Sequence, residues 1–288
     1  MTYCVAMCVN EGMVFLSDTR TNAGVDQVST FRKMTVFEQP GERLLVLLCA
    51  GNLALTQAVT QRLTELVRDG ARTLWNAGNM VEAAQVVGQA VRDVHQMYAK
   101  SLQDFKVEFN CSFILGGQIQ DQPMRLFQIY AAGNFIEASS VNPYIQIGES
   151  KYGKPIVDRV LGANTSLDEA AKCAVISMDS TVRSNVSVGL PLDLLVYERD
   201  ALRMTKFATL DQDSEYYRMI HTTWGARLRQ IFGEIPDPQW TTPDESPIAT
   251  AGSGGNPPRA RLTPITTSGE QSKPAQVLAY ALLSGTPE

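Results

Sequence analysis

The sequence predicts an α+β protein built in four layers, αββα. Three observations predict it. Four strand-like segments precede any helix, helical periodicity then arrives in a pair, and blocks of strands and helices alternate afterwards, so each set of helices needs a sheet to cover.

The first element is Thr2 to Val9, where Tyr3, Val5, Met7 and Val9 alternate with the small Cys4, Ala6 and Cys8, the two-residue period of a strand. Asn10-Glu11-Gly12 supplies a turn before a second strand, Met13 to Ser17, so the chain opens on a hairpin. A polar stretch from Asp18 to Thr30 leads to strands at Lys33 to Phe37 and Arg43 to Ala50, separated by Gln39-Pro40-Gly41. Helices are expected at Leu53 to Arg68 and Met80 to Leu102; in the second, Met80, Ala83, Ala84, Val87, Val91 and Val94 fall three and four apart. Strands return at Cys111 to Leu115 and Arg125 to Ala131. Helices follow at Pro155 to Leu161 and Leu167 to Ser177, strands at Leu192 to Arg199 and Leu202 to Phe207, and a last helix at about Ser214 to Phe232. After Trp240 the composition changes. Residues 241–288 hold half of the 14 prolines together with Gly, Ser and Thr, so the expected division is a folded domain over 2–240 and a disordered tail over 241–288. Within that tail, Gln276 to Leu283 has the pattern of one short apolar helix.

Composition narrows the function. A formal charge of −5, from 25 basic and 30 acidic residues, offers no polyanion-binding surface, so nucleic acid is not an expected partner. The five cysteines (Cys4, Cys8, Cys49, Cys111 and Cys173) are odd in number, lie in apolar segments and form no CxxC pair, which reads as buried reduced thiols. With only His95 and His221 present, a multi-histidine metal site is hard to build, and no metal or cofactor is expected. The longest apolar run, Leu44 to Ala50, falls far short of the ~20 residues that span a bilayer, and no signal-type segment opens the chain; the expectation is a cytoplasmic protein with no membrane partner.

The chemistry converges on the first strand. A threonine hydroxyl needs a base to take its proton, and Thr2 carries its own once Met1 is excised, because a free α-amino group with a pKa of about 7.7–8.0 is partly neutral near pH 7. Asp18 follows the second strand and Lys33 begins the third, so neighbouring strands bring a carboxylate and an ammonium to the same end of the sheet. Taken without Thr2, Asp18 and Lys33 read equally as a structural ion pair. Gly51 ends an apolar strand and starts a helix, where a backbone N–H can face a developing oxyanion and the helix dipole adds to it, although a plain turn glycine fits there too. A competing motif, Gly148-Glu149-Ser150-Lys151-Tyr152-Gly153-Lys154, has the GxxxxGK spacing of a phosphate loop. It is followed by Pro155 instead of the Ser or Thr that would hold magnesium, and proline in a first turn is ordinary helix initiation.

Thr2-Tyr3-Cys4-Val5-Ala6, the run Ser17 to Gly24, Lys33, Cys49-Ala50-Gly51-Asn52, Ile147 to Pro155, and the segment from Met178-Asp179-Ser180 through Ser184-Asn185 to Gly189-Leu190-Pro191 together resemble the proteasome β-type peptidases, and most closely their bacterial Anbu (ancestral β-subunit) branch. The resemblance covers roughly residues 2–240. It implies the N-terminal-nucleophile (Ntn) hydrolase form of the αββα sandwich, a threonine-type peptidase with Thr2 as nucleophile and Asp18 and Lys33 as its partners, Gly51 as oxyanion donor, and Asp179 with Ser184 orienting the terminal amine. Cys49 and Leu53 would face the pocket for the residue before the scissile bond. Self-association into rings or open spiral stacks is implied as well, acting on a peptide or protein substrate, with the need for an ATPase partner left open. Two alternatives stand beside the peptidase: an inert ring-forming scaffold of the same fold, and a narrow-specificity amidase.

Overall fold

The computed structural model describes residues 2–22, 28–65 and 71–240. The chain divides after Glu234 into two units. In the second unit the described residues, 235–240, are exposed and form neither helix nor strand, and the tail expected from 241 lies outside the described residues.

The first unit contains twelve strands and five helices among its described residues. Strands β1 (Tyr3–Val9), β2 (Gly12–Asp18), β10 (Tyr144–Gly148), β11 (Leu192–Glu198) and β12 (Lys206–Leu210) form one antiparallel sheet in the order β10-β1-β2-β11-β12. A second antiparallel sheet runs β5-β6-β7-β8-β9, from β5 (Met34–Gln39), β6 (Arg43–Gly51), β7 (Cys111–Ile119), β8 (Arg125–Ile129) and β9 (Phe135–Glu137). A short ribbon pairs β3 (Arg20–Asn22) with β4 (Val28–Thr30).

The alternation along the strands sorts apolar side chains into three cores, which is how the sequence specifies four layers. Cys4, Ala6, Met13, Phe15, Leu195 and Tyr197 of the first sheet meet Leu44, Val46, Leu48 and Ile114 of the second, filling the space between the sheets. On the far side of the second sheet, Leu45, Leu47, Phe113 and Leu115 pack under α1 (Leu53–Thr64) and α2 (Met80–Asp104). On the far side of the first, Tyr3, Val5, Val14 and Leu16 pack under α3 (Lys154–Val160), α4 (Leu167–Ser184) and α5 (Glu215–Glu234). The expected α+β architecture is the one found.

Local signals set the boundaries. Asn79 caps α2 by accepting from the Glu82 N–H, and Ser166 with Glu169 closes a capping box on α4. The expected strand at Leu202 to Phe207 lies later, at Lys206–Leu210. Asp200 and Leu202 hold φ near +63° and +45°, and the Leu202 N–H donates to the Tyr197 hydroxyl, so this stretch turns instead of pairing. Helix α4 extends seven residues past the expected Ser177, carried by buried Met178, Asp179 and Thr181, two of which are polar and so broke the apolar pattern. Strands β3 and β4 lie in the stretch read as a polar connection; they are too short and too polar for a two-residue period to show. All five cysteines are free thiols.

Candidate active site

The site forms where the two sheets meet. The end of β2 supplies Asp18, the start of β1 supplies Thr2, and the beginning of β5 with the end of β6 supply Lys33, Cys49 and Gly51. A cavity of about 410 Å³ is lined by Thr2, Lys33, Cys49, Ala50, Gly51 and Leu53, with Arg20, Thr21, Asn52 and Thr56 completing its wall. Of the expected residues, Thr2, Lys33, Gly51, Cys49 and Leu53 therefore line one cavity, and Asp18 is tied to it through Lys33.

Asp18 is fully buried, and one of its oxygens does two jobs. Oδ1 accepts from Lys33 Nζ at 2.7 Å and from the Tyr3 backbone N–H at 3.2 Å. The ammonium also donates to the Arg20 carbonyl at 2.6 Å. Lys33 is held in its own sheet by its carbonyl, which accepts from the Cys49 N–H at 3.0 Å. Burial pushes the Asp18 carboxyl up from its ordinary value, against the Lys33 charge and the hydrogen bonds from Lys33 and Tyr3, which pull it down. The ion pair thus joins the first sheet to the second beside Thr2.

Thr2 is 8% exposed and is fixed by its neighbours. Its carbonyl accepts from the Glu149 N–H at 2.7 Å. Tyr3 packs into the core beneath α4, its phenol bonded to Ser177 Oγ at 3.1 Å and to Gln146, and burial raises its pKa. Gly148, paired with Tyr3 in the β1–β10 ladder, has φ near +80°, and a Cβ there would overlap the Thr2 carbonyl. The first glycine of the GxxxxGK run is needed for close approach to Thr2, and the run ends in α3 with Pro155 in its first turn. Gly148→Ala is expected to lower unfolding free energy by about 3 kcal/mol, through strain at positive φ and displacement of residue 2; thermal denaturation checks this, and an unchanged melting temperature refutes the close-approach argument.

Gly51 combines φ near +117° with a position where a Cβ would strike the Asn110 carbonyl, so the turn from β6 into α1 requires glycine. Asn52 caps α1, its Oδ1 accepting from the Ala54 N–H at 3.0 Å, which leaves the positive end of the helix beside the cavity. Burial pushes the Cys49 thiol up to about 11, so the one cysteine lining the cavity is a thiol near neutral pH.

The two residues expected to orient the amine lie elsewhere. Asp179, in the interior of α4, accepts from Tyr217 Oη at 3.0 Å and pairs with His221 Nδ1 at 2.7 Å, fastening α4 to α5. Ser184 is exposed at the end of α4, and both residues line a separate cavity of about 340 Å³ with His221 and Trp224. Next to residue 2 in space is Glu149, whose N–H donates to the Thr2 carbonyl and whose side chain is bonded to Asn185. Glu149 is 7% exposed, its Oε2 accepts from Asn185 Nδ2 at 2.9 Å, and Lys151 Nζ stands 3.4 Å from Oε1. The signal for Glu149 was present in the sequence as Gly148-Glu149-Ser150, and it became readable only once β10, a strand not foreseen, placed that turn beside the start of β1.

The description "Proteasome subunit" matches residues 2–196 of this chain. Among solved structures, Anbu (ancestral β-subunit) from Yersinia bercovieri is 50% identical with a TM-score of 0.77, covering 83% of this chain and 100% of its own. The Anbu (Gly-1) mutant from Hyphomicrobium sp. strain MC1 is 48% identical with a TM-score of 0.78, with the same coverage of both chains. The helical assembly of the Anbu complex from Pseudomonas aeruginosa is 45% identical, covers 82% of this chain and 98% of its own, and has a TM-score of 0.79. No curated protein matches. On these matches the chain belongs to the proteasome-subunit family, in its Anbu branch.

Proposed function

We propose that this chain is an N-terminal threonine hydrolase that cleaves peptide bonds through an acyl-enzyme. The observation that carries the reading is the shared cavity of Thr2, Lys33 and Gly51, with Asp18 clamping both Lys33 and the residue next to the nucleophile. Excision of Met1 frees the Thr2 amine. That amine, directly or through a water, takes the proton as Thr2 Oγ attacks the substrate carbonyl. The Lys33 ammonium beside the hydroxyl lowers its pKa, and Asp18 compensates the lysine. The carbonyl oxygen gathers charge toward the Gly51 N–H, at the positive end of α1. The Thr2 amine passes that proton to the leaving amine as the peptide C–N bond breaks and, neutral again, activates a water that hydrolyses the ester and restores the Thr2 hydroxyl. Glu149, whose N–H donates to the Thr2 carbonyl, together with Asn185, which donates to the Glu149 carboxylate, takes the amine-orienting role in this reading, a role the sequence had suggested for Asp179 and Ser184.

Self-association into rings or open spiral stacks belongs to the same reading, and the helical assembly of the Pseudomonas aeruginosa relative supports it. No helix among the described residues is long and apolar enough to cross a membrane, and a cytoplasmic location is proposed with the peptidase role. The test is intact-mass measurement of the native protein before and after an epoxyketone or β-lactone. The expected result is a chain lacking Met1 that gains one adduct, mapped by peptide mass to Thr2. Retained Met1 in reactive protein, or an adduct elsewhere, overturns the mechanism.

A further inference from the structure

Asp193, on β11, is a buried carboxylate that the proposed mechanism leaves unused. It is 1% exposed, and its partner across the β2–β11 ladder is Ser17, the residue before Asp18. Its Oδ1 accepts from Thr209 Oγ1 at 3.1 Å, whereas Oδ2 is buried without a hydrogen-bond partner among the described residues. A carboxylate taken out of water needs a counter-charge. That charge is Arg32, whose Nε lies 3.9 Å from Oδ2 and whose guanidinium stands 5.8 Å from the centre of the Phe207 ring on β12.

Arg32 directly precedes Lys33, and each of the three residues leading into β5 is tied back to the end of β2 or to its neighbour β11. The Phe31 N–H donates to the Thr19 carbonyl at 2.7 Å, Arg32 pairs with Asp193, and Lys33 Nζ donates to Asp18 Oδ1 at 2.7 Å. On the other side the Lys33 carbonyl accepts from the Cys49 N–H at 3.0 Å. Residues 31–33 are thus a strap between the two sheets, with the Lys33 ammonium at its working end.

We propose that Asp193 is a positioning residue for the hydrolase: through Arg32 it fixes the strap, and with it where the Lys33 ammonium stands relative to Thr2. The inference rests on the threonine-hydrolase reading and adds a residue to it. Neither Asp193 nor Arg32 lines the cavity at Thr2, so their effect passes through Lys33. Asp18 and the Arg20 carbonyl hold the Lys33 Nζ, whereas the Asp193–Arg32 pair holds the backbone from which that side chain starts. The Arg32 side chain is 67% exposed, so the pair adds little to stability. Its consequence is geometric, and geometry is read in rate: about 1 Å of misplacement at reacting groups is worth on the order of 10²-fold.

The experiment compares native protein with Asp193→Asn, Arg32→Gln, the two combined, and Arg32→Lys. Each is labelled with a minimal β-lactone over a series of concentrations, and backbone hydrogen exchange is followed by peptide mass. Asp193→Asn and Arg32→Gln are each expected to lower the maximal labelling rate at Thr2 by about 10-fold, with the half-saturating concentration unchanged and the combined variant no slower than either. Arg32→Lys keeps the charge and is expected to recover most of the rate. The peptide containing the Cys49 amide is expected to exchange faster in the slow variants, while peptides from α2 and β8 keep native protection. Native labelling rates in both Asp193→Asn and Arg32→Gln overturn the proposal. So does slowing accompanied by faster exchange throughout the first unit, which is a general loosening of the fold. Should Asp193→Asn fail to fold, Arg32→Gln, at an exposed position, carries the test. If the reagent fails on native protein, the hydrolase reading fails on its own; the strap is then judged by exchange, and equal protection of the Cys49 amide in native and variant protein refutes it.

Discussion

Thr2→Ala is expected to abolish labelling by threonine-directed electrophiles and any peptide cleavage, while particle size stays unchanged. In the proposed mechanism the side chain supplies the attacking oxygen with its own amine as base, a pairing that the other hydroxyls of the cavity, Thr21 and Thr56, do not have, and burial raises the pKa of the Cys49 thiol. The loss therefore exceeds the roughly 10²–10³-fold that follows removal of one oxyanion donor. The backbone contacts that seat residue 2, the Glu149 N–H on its carbonyl and the Tyr3 N–H on Asp18, do not involve its hydroxyl, so folding and assembly persist. Thr2→Ser keeps hydroxyl and amine in the same relation and is expected to retain part of the activity. Labelling rates and sedimentation of the three proteins decide the matter. Turnover in the alanine protein defeats the threonine assignment, and a native particle that assembles yet reacts with no electrophile favours the scaffold alternative.

Lys33→Ala is expected to lower the labelling rate by on the order of 10³-fold and also to weaken the fold in a pH-dependent way. The effect on the fold arises because removing the lysine leaves Asp18 without its counter-charge in a buried site. Burial already raises the Asp18 pKa above 3.8, and without Lys33 it rises further. Above 3.8 and up to that raised value, the folded state binds the proton that the unfolded state has released. Stability of the variant therefore falls as pH increases through this window, by up to about 1.4 kcal/mol per pH unit. Urea denaturation is expected to show a smaller deficit relative to native protein at pH 5 than at pH 8. A deficit independent of pH means that Asp18 does not carry a buried charge in the native fold. Asp18→Asn combined with Lys33→Met is expected to recover stability without recovering labelling, which separates the structural from the chemical role of the pair.

These two results frame how far the sequence could be read. The strands that build the site announce themselves because each has one face in the core: β1, β2 and β6 alternate or run apolar, and the hairpin joining β1 to β2 places Asp18 near Thr2 by register alone. Lys33 and Gly51 were legible as the ends of such strands. The neighbourhood of Glu149 was not, for a physical reason. It depends on β10 docking antiparallel to β1, a pairing across more than a hundred residues that periodicity cannot register, and on α4 running on to Ser184, which brings Asn185 to the Glu149 side chain. Asp179 was expected at the site through the resemblance alone, and in the fold its buried carboxylate is bonded by Tyr217 and His221.

The candidate site draws Thr2 and Asp18 from one sheet and Lys33 and Gly51 from the other, so in the proposed mechanism the spacing between attacking oxygen and oxyanion donor is set by the thickness of the layer that separates the sheets. Phe15, Tyr197, Leu44 and Leu48 in that layer act as a ruler without touching the reacting groups. Side chains in a close-packed interior transmit a change of volume instead of absorbing it. A displacement of about 1 Å at the reacting atoms is worth on the order of 10²-fold in rate. Substitutions such as Phe15→Leu would thus register first as catalytic defects in a well-folded particle.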